Sequence, residues 1–148
     1  MARTIHTEIR VRAPPERVWS VLTDFPAYSE WNPFIRAVEG RPAIGEKLRV
    51  TLQSSPGSTM RFRPRVLVAS APSELRWLGR LGLPGLFDGE HRFVIESDGA
   101  GGSVLTQSET FRGLLVPLVW RGLGPRTEAA FHRMNEALRD RVEPPVLP

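Results

Sequence analysis

Three polar side chains lie on the otherwise apolar faces of two strand-like segments: His91, Gln107 and Glu109. Side chains two positions apart point to the same face of a strand, so His91 faces the same side as Phe93. By the same parity, Gln107 and Glu109 share the face of Phe111. Burying such groups without partners costs roughly a few kcal/mol each. We therefore expect a wet cavity with apolar walls, in which these three groups orient a ligand carbonyl or hydroxyl.

His91 and Glu109 are the candidate catalytic residues. A histidine beside a carboxylate can act as a general base with an orienting partner in enolisation or dehydration. The alternative is structural: His91 and Glu109 hydrogen-bond each other, or Glu109 reaches an arginine, because most buried polar groups are satisfied within the protein. The residues alone leave both interpretations open.

Established catalytic motifs do not accompany this pair. The sequence has neither a Gly-x-Ser-x-Gly nucleophile motif nor a Gly-x-x-x-x-Gly-Lys phosphate loop. Cysteine is absent, which excludes disulfides, thiol catalysis and cysteine-based metal sites. The three histidines, at positions 6, 91 and 132, are far apart in the chain. We therefore predict no metal and no cofactor.

Charge and hydropathy limit the classes of partner. The chain has 20 basic and 16 acidic residues, and its basic residues are arginines except for Lys47. The arginines are interspersed with acids and form no basic run, which argues against nucleic-acid binding. No apolar run is long enough to cross a bilayer, and the N-terminus lacks an apolar signal core. We expect a cytoplasmic protein without stable membrane insertion.

Two periodicities predict the elements that position these residues. Residues 4–12 alternate as a strand, residues 14–23 have helical spacing, and residues 27–31 add a short helical turn. The strand-like segments that follow are 34–39, 46–53, 59–69, 74–81, 90–97 and 103–112. Within the third of them, Pro64 indicates an edge position or a bulge.

The C-terminal part of the chain is helical. Residues 126–143 are strongly periodic, and residues 117–121 can also be helical. The sequence Gly-Leu-Gly-Pro at 122–125 predicts a weak point or kink between them. We predict one α+β domain over residues 1–143, with a curved antiparallel sheet covered by the long helix, and a C-terminal tail at 144–148.

Wrapping a curved sheet around one helix leaves a space unless large side chains fill it. Inward positions in this sequence carry aromatic residues and Met134, which are core residues or cavity walls. Together with the three polar groups, they make up the predicted ligand site: Trp31, Phe62, Trp77, His91, Phe93, Gln107, Glu109, Phe111 and Met134.

Residues 13–33 read Ala-Pro-Pro-Glu-Arg-Val-Trp-Ser-Val-Leu-Thr-Asp-Phe-Pro-Ala-Tyr-Ser-Glu-Trp-Asn-Pro. This stretch resembles the first strand–helix–helix signature of the SRPBCC superfamily, which contains START-related, polyketide cyclase/dehydrase-like and birch-pollen-allergen-like proteins. Residues 75–79, 89–93 and 131–138 fit the same pattern, so the resemblance covers residues 4–143.

The resemblance implies a helix-grip fold, in which a seven-stranded antiparallel sheet grips the C-terminal helix over a deep hydrophobic cavity. Residues 82–89 and 122–125 would lie at the cavity mouth as candidate gates. The implied function is binding of a small hydrophobic molecule of lipid, polyketide or aromatic type, by a monomer or weak homodimer. One alternative is a polyketide cyclase/dehydratase-like enzyme that uses His91 or Glu109 as general base. A second is a co-chaperone or assembly-factor role in protein interaction.

Overall fold

Eight antiparallel strands and a long C-terminal helix form the α+β architecture of the computed structural model, which describes residues 2–144. The strands are β1 Arg3–Val11, β2 Ile35–Glu39, β3 Arg49–Ser55, β4 Ser58–Phe62, β5 Arg65–Ser70, β6 Glu74–Arg80, β7 Asp88–Ser97 and β8 Ser103–Arg112. The helices are α1 Pro15–Thr23, α2 Tyr28–Trp31 and α3 Val116–Val142, with a 3-10 turn at Phe25–Ala27. The predicted fold class is confirmed, with one more strand than expected.

The strands form two sheets. One has the order β1-β8-β7-β6-β5, and the other has the order β2-β3-β4. In the larger sheet, His91 of β7 pairs with Glu109 of β8 on one side and with Trp77 of β6 on the other. The adjacent inward row pairs Phe93 with Gln107, and Gln107 with a residue of β1. Register therefore brings the predicted polar residues next to one another.

The predicted strand 59–69 is wrong as a single strand. It is divided at Pro64 into β4 and β5, which belong to different sheets. Proline has no N–H to donate to a ladder, so a continuous pairing ends there. The carbonyl of Pro64 instead accepts a hydrogen bond from Leu48 at 2.8 Å. The break gives the structure two sheets, between which a space can open.

At residues 122–125, where the sequence predicts a weak point or kink, α3 is continuous and Pro125 lies inside it. Pro125 removes one backbone hydrogen bond, to the carbonyl of Arg121. Both residues are exposed, so water can satisfy that carbonyl. Gly124 contributes packing: a Cβ there would lie 3.0 Å from the ring of Trp120.

The core fills the space between the larger sheet, α1 and α3. Its largest fully buried side chains include Phe25, Tyr28, Trp77, Phe93 and Phe131. None of the helices that the structure describes has the length and apolar character needed to cross a membrane. Residues 145–148, part of the predicted tail, lie outside the described residues.

Gly113 lies between β8 and α3 in the chain and packs against the loop after β6. Its φ is +134°, and a Cβ would overlap the backbone of Leu86. Two residues later, the backbone N–H of Leu115 donates a hydrogen bond to the carbonyl of Leu86 at 3.0 Å. Only glycine combines this conformation with such a close approach.

We predict that Gly113→Ala lowers the unfolding free energy by roughly 2 kcal/mol or more, because strain and overlap act together. Gly85→Ala is the matched control. Its φ is +89°, but no atom lies within 4 Å of the new methyl group. This variant should lose only about 1 kcal/mol. Urea unfolding measures both, and equal losses would contradict the role of the close approach.

Candidate functional site

A cavity of about 250 Å³ opens between the two sheets beside α3. Its walls are mostly apolar and come from both sheets and from the segments that join them: Phe34, Leu52, Met60, Phe62, Phe87 and Phe111. Its polar lining consists of Ser58, Arg80, Glu109, Arg126 and Thr127. Apolar walls with a few polar groups are typical of small-molecule sites.

Two glycines make room for this cavity. Gly79 of β6 and Gly89 of β7 are both buried, line the cavity, and pair directly with each other in the ladder. A Cβ at Gly79 would lie 2.9 Å from the ring of Phe62. A Cβ at Gly89 would lie 2.5 Å from Oε2 of Glu109. The sheet therefore has a patch without side chains, and Phe62 and Glu109 occupy the space above it.

Glu109 is the acidic group of the cavity. Its side chain is 17% exposed, and no hydrogen bond reaches its carboxyl group from any residue of the described range 2–144. The nearest ionisable group is His91, whose Nδ1 lies 3.8 Å from Oε1, which is longer than a hydrogen bond. Burial raises the pKa of Glu109 to about 8, so the carboxyl group is mostly protonated at neutral pH.

His91 lies behind Glu109 and is 4% exposed. Its ring is stacked between Phe93 and Phe131, with centroid distances of 4.5 and 4.9 Å. Burial lowers the pKa of His91 to about 4, so the imidazole is neutral at neutral pH.

A chain of hydrogen bonds continues from His91 across the core to β1. His91 Nε2 lies 2.9 Å from Gln107 Oε1, and Gln107 Nε2 donates to Asn135 Oδ1 at 2.6 Å. Asn135 Nδ2 donates to Thr7 Oγ1 at 2.9 Å, and the Thr7 hydroxyl donates to the main-chain oxygen of Gln107 at 2.9 Å. All four side chains are buried. The four side chains are thus joined by hydrogen bonds inside the protein, whereas the carboxyl group of Glu109 has no hydrogen bond within residues 2–144.

The predicted site residues divide into four groups. Phe62, Glu109 and Phe111 line the cavity. The polar pair His91 and Gln107 lies behind Glu109, and the apolar residues Trp77, Phe93 and Met134 are buried in the core. Trp31 lines a separate surface cleft next to Arg17 and Asp24, and its Nε1 has no hydrogen-bond partner among residues 2–144.

The predicted site residues omit Gly89, Arg126 and Thr127, although Gly89 ends the predicted gate segment 82–89. Gly89 has the parity of His91, which was the available signal for its inward position. Arg126 and Thr127 are on α3, where a helical position alone does not show which turn faces a gap. Both predicted gate segments contribute to the cavity, through Phe87 and Leu123.

Metal binding finds no support in the described part of the chain. Within residues 2–144, no three histidine, aspartate or glutamate side chains are grouped so that they could hold an ion.

Comparison with known proteins identifies the kind of domain. Residues 2–143 match the family described as polyketide cyclase/dehydrase and lipid transport. No curated protein sequence matches the chain. Among solved structures, a START superfamily protein from Mycobacterium smegmatis is 24% identical, with a TM-score of 0.73 over 94% of this chain and 96% of that one.

Two further solved structures share the fold at lower identity. The Zhui aromatase/cyclase from Streptomyces sp. R1128 is 16% identical, with a TM-score of 0.78 over 96% of this chain and 94% of that one. Norcoclaurine synthase from Thalictrum flavum, in complex with dopamine and hydroxybenzaldehyde, is 15% identical, with a TM-score of 0.73 over 96% and 87%. At these identities the likeness concerns the fold alone, and the helix-grip prediction is confirmed.

The two shifted groups give opposite pH dependences of stability. The pKa of His91 is about 4 in the folded chain and 6.5 as a free side chain, so its contribution is present above pH 6.5 and is lost as pH falls toward 4. The pKa of Glu109 is raised from 4.5 to about 8, so its contribution is present below pH 4.5 and is lost as pH rises to about 8. Between pH 4.5 and 6.5 the two slopes oppose each other.

Above pH 6.5 we therefore expect Glu109, and not His91, to determine how the unfolding free energy changes with pH. The unfolding free energy should fall by about 2 kcal/mol between pH 6.5 and pH 8, since one pKa unit corresponds to about 1.4 kcal/mol. Urea unfolding at a series of pH values measures this decline. Glu109→Gln should abolish it, and an equal decline in that variant would rule out Glu109 as its source.

Proposed function

Because the chain belongs to the polyketide cyclase/dehydrase and lipid transport family, we propose that its cavity binds a small, largely hydrophobic molecule with a carbonyl or hydroxyl group. The observation that carries the proposal is Glu109, a protonated carboxyl group without a hydrogen-bond partner in the described residues, in a cavity with aromatic walls. A protonated carboxyl group donates a hydrogen bond, so its natural partner is a ligand oxygen. The hydroxyl of Thr127 on α3 is a second polar group for such a ligand.

Size favours the polyketide or aromatic type of ligand over a long lipid chain. The cavity volume of about 250 Å³ is slightly below the range of about 300–1,000 Å³ that is usual for small-molecule sites. A molecule of one or two rings fits this volume. The norcoclaurine synthase structure holds aromatic molecules of this kind, dopamine and hydroxybenzaldehyde. Ring faces of Phe62, Phe87 and Phe111 would pack against such a ligand.

The test is a pair of matched substitutions on α3, with prodan as ligand, an uncharged fluorescent ketone on a two-ring naphthalene. Leu123 is half-buried and lines the cavity, whereas Leu118 is 79% exposed and does not. Leu123→Trp fills the cavity and should weaken probe binding roughly tenfold or more, which is about 1.4 kcal/mol or more. Leu118→Trp adds the same ring outside the cavity and should leave affinity unchanged.

Fluorescence titration gives the affinity, and thermal unfolding checks that both variants are folded. Absence of saturable binding to the unmodified protein would contradict the proposal. So would equal weakening in the two variants, because it would place the probe on the protein surface.

An enzymatic role is the second candidate, and the pKa of Glu109 near 8 supports it. The group is an acid at neutral pH and a desolvated base above pH 8, which suits proton transfer in cyclisation or dehydration. His91 does not line the cavity, so Glu109 is the group that would touch a substrate.

Nitrobenzisoxazole tests this base directly. A carboxylate removes the proton on its ring carbon, the N–O bond breaks, and a coloured cyanonitrophenolate forms. We expect a rate above the hydroxide background that rises with a midpoint near pH 8 and disappears in Glu109→Gln. An unchanged rate in Glu109→Gln would exclude Glu109 as the base.

A role in protein interaction is the third hypothesis. Its support is three exposed leucines: Leu83 in the loop after β6, Leu114 between β8 and α3, and Leu118 in the first turn of α3, with exposures of 71%, 78% and 79%. Exposed apolar clusters often mark contact surfaces. This hypothesis gives no role to Glu109 or to the cavity, so we rank it below ligand binding.

A further inference from the structure

The hydrogen-bond chain behind Glu109 has only one possible direction. It starts at the Thr7 hydroxyl, which lies 2.9 Å from the main-chain oxygen of Gln107. A carbonyl oxygen can only accept, so the single hydroxyl proton of Thr7 is used in this bond. Thr7 Oγ1 must then accept from Asn135, and the amide nitrogen of Asn135 faces it at 2.9 Å.

The direction passes unchanged through the two amides. With its nitrogen toward Thr7, Asn135 presents its oxygen to Gln107, whose Nε2 donates to it at 2.6 Å. Gln107 therefore presents Oε1 to His91, 2.9 Å from Nε2. An amide oxygen can only accept, so Nε2 of His91 carries a hydrogen.

The opposite nitrogen of His91 is fixed by the same argument. A neutral imidazole has one N–H, and burial of the His91 ring disfavours its charged form. Nδ1 is then unprotonated, and it is the ring nitrogen that faces Glu109 at 3.8 Å. We propose that Thr7, Asn135 and Gln107 are positioning residues that hold His91 in the Nε2–H tautomer, so that an unprotonated Nδ1 faces the Glu109 carboxyl group.

The tautomer determines which state of Glu109 is favoured, and in this sense the inference rests on the proposed function of the cavity. A lone pair on Nδ1 repels a carboxylate and attracts a carboxylic acid, whereas an N–H at Nδ1 would stabilise the carboxylate. The tautomer therefore helps to keep Glu109 protonated and able to donate to a ligand oxygen. The other charged groups at the cavity, Arg80 on β6 and Arg126 on α3, are not part of the hydrogen-bond chain.

Two substitutions of Thr7 distinguish the effect of the hydrogen-bond direction from the effect of side-chain packing at this position. Thr7→Val keeps the shape of the side chain and removes its hydroxyl. The side-chain amides of Asn135 and Gln107 can then both flip, exchanging oxygen and nitrogen, with no further loss of hydrogen bonds. Gln107 would then offer an N–H to Nε2, and His91 would carry its hydrogen on Nδ1. Thr7→Ser keeps the hydroxyl and should preserve the direction of the chain.

The experiment is nitrogen NMR of the histidine rings in the ligand-free full chain, where the exposed His6 and His132 serve as internal references. In the unmodified protein and in Thr7→Ser, we expect His91 to be protonated at Nε2 only, across the neutral pH range. In Thr7→Val, a substantial Nδ1–H population should appear. Carbon NMR of the Glu109 carboxyl group should show its pKa falling by about one unit in Thr7→Val and not in Thr7→Ser.

Three outcomes would overturn the inference. An Nδ1–H tautomer in the unmodified protein would do so without any variant, as would a Thr7→Val protein with an unchanged tautomer. A Glu109 pKa that does not follow the tautomer would refute the coupling. If Thr7→Val does not fold, Thr7→Ala replaces it. Because these signals need no ligand, their failure together with retained probe binding would refute only this inference, and the reverse result would refute only ligand binding.

Discussion

The cavity depends on two paired glycines, because their missing side chains leave room on the sheet for Phe62 and Glu109, which line it. Gly79 and Gly89 face each other across β6 and β7, and their missing side chains lie under Phe62 and Glu109. The break at Pro64 adds the second requirement. It directs β4 into a separate sheet, so that Phe62 approaches the glycine patch from the opposite side instead of lying in the same ladder. An apolar space with one acid at its base follows from these two features.

The interior separates its polar groups into two kinds. Thr7, His91, Gln107 and Asn135 are joined by hydrogen bonds inside the core, which is the usual condition of buried polar groups. Glu109 is adjacent to them, but its carboxyl group has no hydrogen bond within the described residues. A buried polar group that the protein does not satisfy is a point at which a ligand gains more than it would from an apolar wall. The contrast between neighbouring residues therefore distinguishes a structural network from a binding group.

Strand parity and family resemblance were sufficient to predict the α+β helix-grip fold and the inward direction of Glu109. They did not separate Glu109 from His91, because parity places both on one face and does not show which lies over a gap. That distinction depends on Gly89, whose significance appears only when its neighbours are known in three dimensions. Propensity marked Pro125 as a weak point, and exposure of the freed carbonyl allows the helix to continue through it. Trp31 was assigned from residue type alone, and its position on another cleft depends on how α2 packs.

The close contact between Gly89 and Glu109 also limits how this chain can change by mutation. Any side chain at position 89 would meet the carboxyl oxygen, so a larger residue there displaces the Glu109 carboxyl group or requires a shorter residue at position 109. The two positions are thus expected to vary together among descendants of this sequence. A change at either one moves or removes the acid at the base of the cavity.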